Sequence, residues 1–125
     1  MFKKGDIILP VSPAKRCERL SDLFHPAVVW DNRYDGESDF KGIILTSSNK
    51  FENNIALQEQ HFHSGYEIGY NNSHFINQVY YKFGKWGPFE KVGQLTKEGV
   101  CFIEENLICD SAIPFVEYIK QLNKK

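Results

Sequence analysis

Residues 42–48 read Gly-Ile-Ile-Leu-Thr-Ser-Ser, a short apolar run that ends in three hydroxyl side chains. Two similar runs precede it: Gly-Asp-Ile-Ile-Leu at residues 5–9, and Pro-Ala-Val-Val-Trp at residues 26–30, which follows His25. Each run is too short and too rich in β-branched residues to predict a helix. The first half of the chain is therefore predicted to be an antiparallel β core, with hydroxyls and an imidazole where strands meet loops.

The composition predicts one compact domain that spans residues 1–125. A chain of 125 residues is long enough for a single core and too short for two. Apolar residues make up 42% of it and aromatic residues 14%, which is enough to fill a small barrel. Because no apolar stretch approaches the roughly 20 residues that span a bilayer and the chain lacks a signal-like start, a soluble cytoplasmic protein is expected.

The charge balance excludes a protein that is drawn to nucleic acid or membranes by its overall field. There are 15 basic and 16 acidic residues, for a net charge of −1. Any RNA binding must therefore depend on a local basic patch. The segment between the first two apolar runs supplies one candidate patch, whose cations are Lys15, Arg16 and Arg19.

Neither the cysteines nor the histidines predict a metal site. The three cysteines are odd in number and lack close pairing, which argues against a disulfide framework and a thiolate zinc site; they are Cys17, Cys101 and Cys109. His61 and His63 would share one face of an extended segment, with His74 nearby in sequence, but no carboxylate or cysteine stands at a supporting spacing. No metal and no cofactor are expected.

The second half of the chain continues with short strands and then changes to a helical period. Strands are predicted over residues 55–58 and, rich in aromatic side chains, over residues 75–83. Thr96 and Ser111 are suitable N-caps for two helices. The apolar face of the first helix carries Val100, Ile103 and Leu107, and that of the second carries Phe115, Tyr118, Ile119 and Leu122.

These elements predict a mainly β fold with C-terminal helices. A strongly bent sheet or small SH3-like β-barrel is expected over about residues 1–95, and a helical part over about residues 96–125. The second and third strands are expected to lie side by side, which would bring His25 close to Thr46 and Ser47.

Five short motifs stand in order along the chain. They are Gly-Asp at residues 5–6, His-Pro-Ala-Val-Val at 25–29, Leu-Thr-Ser at 45–47, Asn-Gln-Val at 77–79 and Val-Gly-Gln-Leu-Thr at 92–96. Their order and spacing resemble the PemK/MazF-like family of growth-inhibiting toxins. The resemblance implies an SH3-like barrel of the CcdB/PemK type, usually a homodimer, that cleaves single-stranded RNA without a metal. It also implies an antitoxin that neutralises the protein by occupying the RNA groove.

The resemblance implies catalytic roles for three residues. Thr46 and Ser47 match the family's Thr-Ser step at the end of the third strand, and His25 stands where the family commonly has an arginine. RNA cleavage needs a group that takes the 2′-hydroxyl proton, a group that protonates the leaving oxygen, and donors for the phosphate charge. An imidazole can transfer a proton near neutral pH but lacks the bidentate grip of arginine on phosphate. The predicted catalytic residues are therefore His25, Thr46 and Ser47.

The predicted RNA contacts combine cations, amides and aromatic rings. Rings interleaved with cations, as at residues 80–86, are typical of surfaces that stack single-stranded bases. Asn77 stands where the family commonly has an aspartate, so it is a candidate for base contact rather than for proton transfer. The full set is Lys15, Arg16, Arg19, Lys82 and Lys85 for phosphates, Asn77 and Gln78 for bases, and Tyr81 and Trp86 for stacking.

Three hypotheses follow for function. The first is a hydrolase: an endoribonuclease toxin of a toxin–antitoxin system. The second is a catalytically inactive protein of the same fold that binds a protein partner, as an immunity or regulatory module. The missing arginine and the near-neutral charge favour the second, whereas the intact Thr-Ser step and the basic first loop favour the first. The third hypothesis is a metal-dependent or small-molecule enzyme that uses His61 and His63.

Overall fold

The structure, a computed structural model, describes residues 1–11, 26–47, 54–66, 73–82, 87–108 and 111–114, together with Glu117. Within those residues it holds ten strands and the α-helix Lys97–Asn106, and Glu117 is also helical. The strands of the first half are β1 (Phe2–Lys3), β2 (Asp6–Pro10), β3 (Ala27–Val29), β4 (Arg33–Tyr34) and β5 (Phe40–Thr46). The second half holds β6 (Asn54–Ala56), a 3-10 helix (Glu59–His61), β7 (His74–Ile76), β8 (Val79–Lys82), β9 (Phe89–Gln94), the helix α1 (Lys97–Asn106) and β10 (Ala112–Pro114).

The main sheet confirms the predicted antiparallel core. Its strand order is β10-β8-β5-β3-β2-β9, and β6 and β7 extend it beside β5. All of these pairings are antiparallel except that of β10 with β8. The outer strands β9 and β10 do not pair with each other within the described residues, so no closed barrel is formed there.

Strand β5 is central because apolar side chains cover both of its faces. Ile43 and Leu45 belong to one buried cluster, which includes Ile103 of α1 and is called the helix-side core. Phe40 and Ile44 belong to a second cluster on the other face, which also contains Tyr34, Tyr80 and Phe89 and is called the aromatic core. Successive side chains of a strand point to opposite faces, so this alternation shows which face each later residue of β5 occupies.

The helix α1 forms where its cap and its period predicted. The side chain of Thr96 accepts a hydrogen bond from the backbone N–H of Gly99 at 3.1 Å, as an N-cap residue does. Ile103 is fully buried, and Val100 and Leu107 pack against the same core. No helix among the described residues is long and apolar enough to cross a membrane.

The prediction of one aromatic strand over residues 75–83 is wrong in one respect, because this stretch forms two strands, β7 and β8. β7 pairs with the end of β5, and β8 pairs with its beginning. Asn77 and Gln78 interrupt the ladder between them, with the Gln78 N–H donating to the carbonyl of Ile76 at 2.7 Å. The Asn77 side chain bonds to Asn106 and Ile108 at the end of α1, and the Gln78 side chain donates to the carbonyls of Val79 and Ser111.

The second predicted helix does not begin at Ser111. Residues Ala112–Pro114 form β10, which runs parallel to β8 with Ile113 opposite Tyr80. Ile113 packs against the aromatic core, and the Ser111 carbonyl accepts from the Gln78 side chain at 2.9 Å. Tertiary pairing therefore outweighs the local capping signal at this position. The other residues named for that helix lie outside the described residues.

Tyr34 is a buried phenol in the aromatic core. Its ring stacks on Phe40 with centroids 4.4 Å apart, and its hydroxyl is buried with no hydrogen-bond partner among the described residues. Burial raises the pKa of this phenol far above its ordinary value of 10.0, and the nearby carboxylates of Asp35, Asp39 and Glu37 raise it further. The Tyr34 side chain is therefore neutral near pH 7.

Candidate functional site

The end of β5 presents two hydroxyls in different surroundings. Thr46 is the last residue of the strand and is only 8% exposed, while Ser47 follows it and is exposed. By the alternation along β5, the Thr46 side chain lies on the same face as Ile44, at the rim of the aromatic core. Thr46 is thus a buried residue at the end of a buried strand, and the exposed Ser47 follows it.

On one edge of this strand end lies the beginning of β3. Ala27 pairs with Ile44, and the Leu45 N–H donates to the Pro26 carbonyl at 2.9 Å. The predicted adjacency of the second and third strands is therefore confirmed as far as Pro26. His25, which is covalently joined to Pro26, lies outside the described residues.

On the other edge lies the beginning of β7, which brings in a histidine that the sequence did not assign to the site. His74 is the antiparallel partner of Thr46, and Phe75 is the partner of Leu45. Directly opposed residues of an antiparallel pair share a face, with Cβ atoms about 4.5–5.5 Å apart. His74 thus lies beside Thr46 at the rim of the aromatic core. The sequence holds no local signal for this pairing, because it depends on the register of β5 and β7.

Asn77 and Gln78, predicted base contacts, hold the segment after α1. The Asn77 side chain is buried, donates from Nδ2 to the Asn106 carbonyl at 2.7 Å, and accepts at Oδ1 from the Ile108 N–H at 3.0 Å. Gln78 donates from Nε2 to the carbonyls of Val79 and Ser111, each at 2.9 Å. Asn77 therefore supplies partners to backbone groups at the end of the helix, which otherwise lack intrahelical partners.

The Asn77 contacts predict that Asn77→Asp destabilises the protein by about 2 kcal/mol at neutral pH, although the two side chains have nearly the same shape. The substitution places a carboxylate oxygen against the Asn106 carbonyl and a negative charge at a helix C-terminus, where it is unfavourable. Denaturant unfolding measures the loss.

The loss in Asn77→Asp should shrink as the pH falls, because a protonated carboxyl can donate to the Asn106 oxygen. Each measurement is compared with the wild-type protein at the same pH, and Asn77→Ala is the uncharged control. Equal stability of Asn77→Asp and wild type at pH 7 would show that the hydrogen bond from Asn77 Nδ2 to the Asn106 carbonyl does not stabilise the helix end.

Tyr81, a predicted stacking residue, lies far from the two hydroxyls. Its ring is 42% exposed, and it is the cross-strand partner of Lys41 at the other end of β5. Thr46 is five positions beyond Lys41 along the strand, a distance of about 17 Å. Tyr81 also faces away from the aromatic core, since Tyr80 beside it belongs to that core. The structure therefore does not bring Tyr81 together with Thr46.

Six other predicted RNA contacts are not located. For Lys82 only the backbone of β8 is described. The remaining residues lie outside the described part of the chain, and they are Lys15, Arg16, Arg19, Lys85 and Trp86. Their contacts with RNA stay predictions.

His61 and His63, the histidines of the third hypothesis, do not form a common site. His61 is buried, stacks on Phe102 with centroids 4.5 Å apart, and accepts at Nδ1 from the Gln58 N–H at 2.9 Å. His63 is exposed, and its backbone N–H donates to the Gln94 carbonyl at 3.0 Å. No group of three or more metal-ligating side chains occurs in the described segments.

Comparison with known proteins finds a similar fold and no similar sequence. No protein-family model and no curated protein matches the chain. Among solved structures, a chain of the MazE–MazF complex (Form-II) from Deinococcus radiodurans matches with a TM-score of 0.56 over 85% of this chain and 90% of that chain. The fold is MazF-like. Identity is 11%, so the likeness concerns the fold alone.

In this MazF-like fold, the end of β5 places two hydroxyl residues beside a paired strand that begins with a histidine. Hydroxyls can donate hydrogen bonds to anionic oxygens, and an imidazole can accept or donate a proton. The pairing of β5 with β7 places Thr46 opposite His74, and Ser47 follows Thr46 in the chain. The described residues thus supply one hydroxyl and one imidazole on directly paired residues, with a second hydroxyl on the next residue of the chain.

Proposed function

We propose that this chain is a toxin-like endoribonuclease of a toxin–antitoxin system that cleaves single-stranded RNA without a metal. The observation that carries the proposal is the end of β5, where Thr46 and Ser47 stand beside the start of β3 in a MazF-like fold. The family resemblance assigns Thr46 and Ser47 to the same place. His25, which precedes Pro26, completes the proposed catalytic residues.

Each proposed catalytic residue has one role. The hydroxyls of Thr46 and Ser47 donate hydrogen bonds to the oxygens of the scissile phosphate, where negative charge develops during the reaction. His25 transfers a proton. Lys15, Arg16 and Arg19 bind the RNA backbone through charge, which a protein of net charge −1 must concentrate locally.

The architecture and partners follow from the same proposal. We infer a single domain over residues 1–125 that completes an SH3-like barrel of the CcdB/PemK type, with no cofactor. A cognate antitoxin is proposed as the protein partner, and the fold match to a chain from a MazE–MazF complex supports this. A homodimer in the cytoplasm is proposed because the resembling family usually pairs and its RNA substrates are cytoplasmic.

The test is incubation of the purified protein with mixed-sequence single-stranded RNA in excess chelator. We expect a limited set of defined fragments, because the proposed groups act without a metal. Double-stranded RNA of the same sequence is the matched control and should stay intact. Intact single-stranded RNA at high protein concentration would overturn the proposal, whereas growth arrest after induction in a bacterial host would support it.

A second candidate is a catalytically inactive MazF-like module that binds a protein partner. Two placements favour it: the Asn77 amide is engaged with the end of α1, and Tyr81 lies about 17 Å along the strand from Thr46. Neither residue is then positioned with Thr46 to read a nucleotide. Intact RNA together with harmless overexpression would select this candidate over the nuclease.

A further inference from the structure

His74 is fixed in the sheet from both sides. It is the cross-strand partner of Thr46 on β5 and of Ala56 on β6. The Ser73 carbonyl before it accepts from the Leu57 N–H at 3.0 Å. The backbone of His74 is therefore held by two neighbouring strands at the position where β7 begins, and this fixes the face of the sheet from which its side chain projects.

The two cross-strand neighbours of His74 differ in burial. Thr46 is buried on the β5 side, while Ala56 on the β6 side is exposed and has only a methyl group. Deeper along β5 and β7, Ile44 and Ile76 belong to the aromatic core. His74 itself is half-buried. A half-buried histidine opposite a threonine, at the exposed edge of an apolar cluster, is in a position that a substrate can reach from solvent.

We propose that His74 transfers a proton in the RNA cleavage that occurs at Thr46, an inference that rests on the proposed ribonuclease function. In this step the attacking 2′-hydroxyl loses its proton and its oxygen bonds to phosphorus. The bond between phosphorus and the 5′-oxygen breaks, and that oxygen gains a proton. The products are a 2′,3′-cyclic phosphate and a 5′-hydroxyl, and no co-reactant is consumed. His74 handles one of these two protons while the Thr46 hydroxyl bonds to the phosphate.

The pairing distance supports this role. Directly opposed residues in an antiparallel pair have Cβ atoms about 4.5–5.5 Å apart, so a phosphate oxygen bonded to Thr46 lies within reach of the imidazole opposite. The other described histidines do not share this place. His61 stacks on Phe102, and His63 lies beside Gln94 on β9, three strands away from β5 in the sheet.

The experiment measures cleavage of single-stranded RNA by His74→Ala with and without added imidazole. Removal of a proton-transfer group is expected to slow cleavage about 100- to 10,000-fold. Free imidazole should restore the rate of His74→Ala at least about tenfold by replacing the missing group. It should not restore Thr46→Val, which lacks a hydroxyl rather than an imidazole. His63→Ala is the matched histidine control and should cleave at the wild-type rate.

The outcomes separate this inference from the proposed function. If the wild-type protein does not cleave RNA, the proposed function fails and the role of His74 fails with it. If the wild type cleaves and folded His74→Ala cleaves within about threefold of it, or is slow and not restored by imidazole, only the role of His74 is overturned. Should His74→Ala fail to fold, His74→Gln is measured instead: a wild-type rate in that variant overturns the inference, and a loss on the scale stated above supports it.

Discussion

Thr46→Val is expected to reduce the rate of RNA cleavage about 100- to 1000-fold while the protein stays folded. This range is typical when one preorganised donor to a developing anionic charge is removed. Valine replaces the hydroxyl with a methyl group of similar size and has a high strand propensity, so the end of β5 should keep its pairing with β7. The measurement is the single-turnover cleavage rate on the single-stranded RNA that the wild type cuts.

One control variant and one check for contaminating nuclease make this result specific to the hydroxyl. Thr46→Ser keeps a donor at the same position and should retain a rate within about tenfold of the wild type. Thr46→Val purified in parallel also reports any contaminating nuclease, since a contaminant would cleave in both preparations. A Thr46→Val protein that cleaves as fast as the wild type contradicts the role assigned to this side chain.

Gly99→Ala is expected to destabilise the protein by about 2 kcal/mol or more, even though alanine is the better helix former by about 1 kcal/mol. A Cβ at residue 99 would lie 2.5 Å from the His61 carbonyl oxygen and 3.1 Å from the His61 Cβ. That oxygen belongs to the backbone and also accepts from the Thr96 N–H at 2.9 Å, so it cannot move without breaking the start of α1. The expected change is a fall in melting temperature of about 5–10 °C.

Cys101→Ala is the matched control for this prediction. It lies on an exposed position of the same helix, two residues further along, and should change the stability by less than about 0.5 kcal/mol. Denaturant unfolding of both variants, with the slope checked for constancy, gives the comparison. A Gly99→Ala protein that is more stable than the wild type would mean that α1 can shift away from the 3-10 helix without cost.

The strands that build the site were predictable because their signals are local. The apolar runs at residues 5–9, 26–30 and 42–45 each fall on a described strand, and burial on both faces explains why these runs are nearly continuous. The start of α1 was predictable from Thr96 for the same reason, since a cap bonds to a residue only three positions away. The third strand begins at Phe40 rather than Gly42, because its pairing with β8 extends it.

The elements that were predicted wrongly are those in which a distant partner outweighs the local signal. Ser111 has the chemistry of an N-cap, yet residues Ala112–Pro114 pair with β8. The aromatic run at residues 75–83 has strand propensity throughout, yet Asn77 leaves the ladder to bond with Asn106 and Ile108. Strand propensity determines the local structure less strongly than the hydrogen bonds that a buried polar side chain must make.

The sequence by itself determined which short segments extend, where the helix begins, and that two hydroxyls terminate a buried strand, because each depends on neighbours within a few residues. Only the tertiary structure decided that His74 lies opposite Thr46, that Asn77 holds the end of α1 and that Gly99 contacts His61. Each of these joins segments far apart in the chain. Their register is set by the burial of whole strands and helices, a property that no local pattern contains.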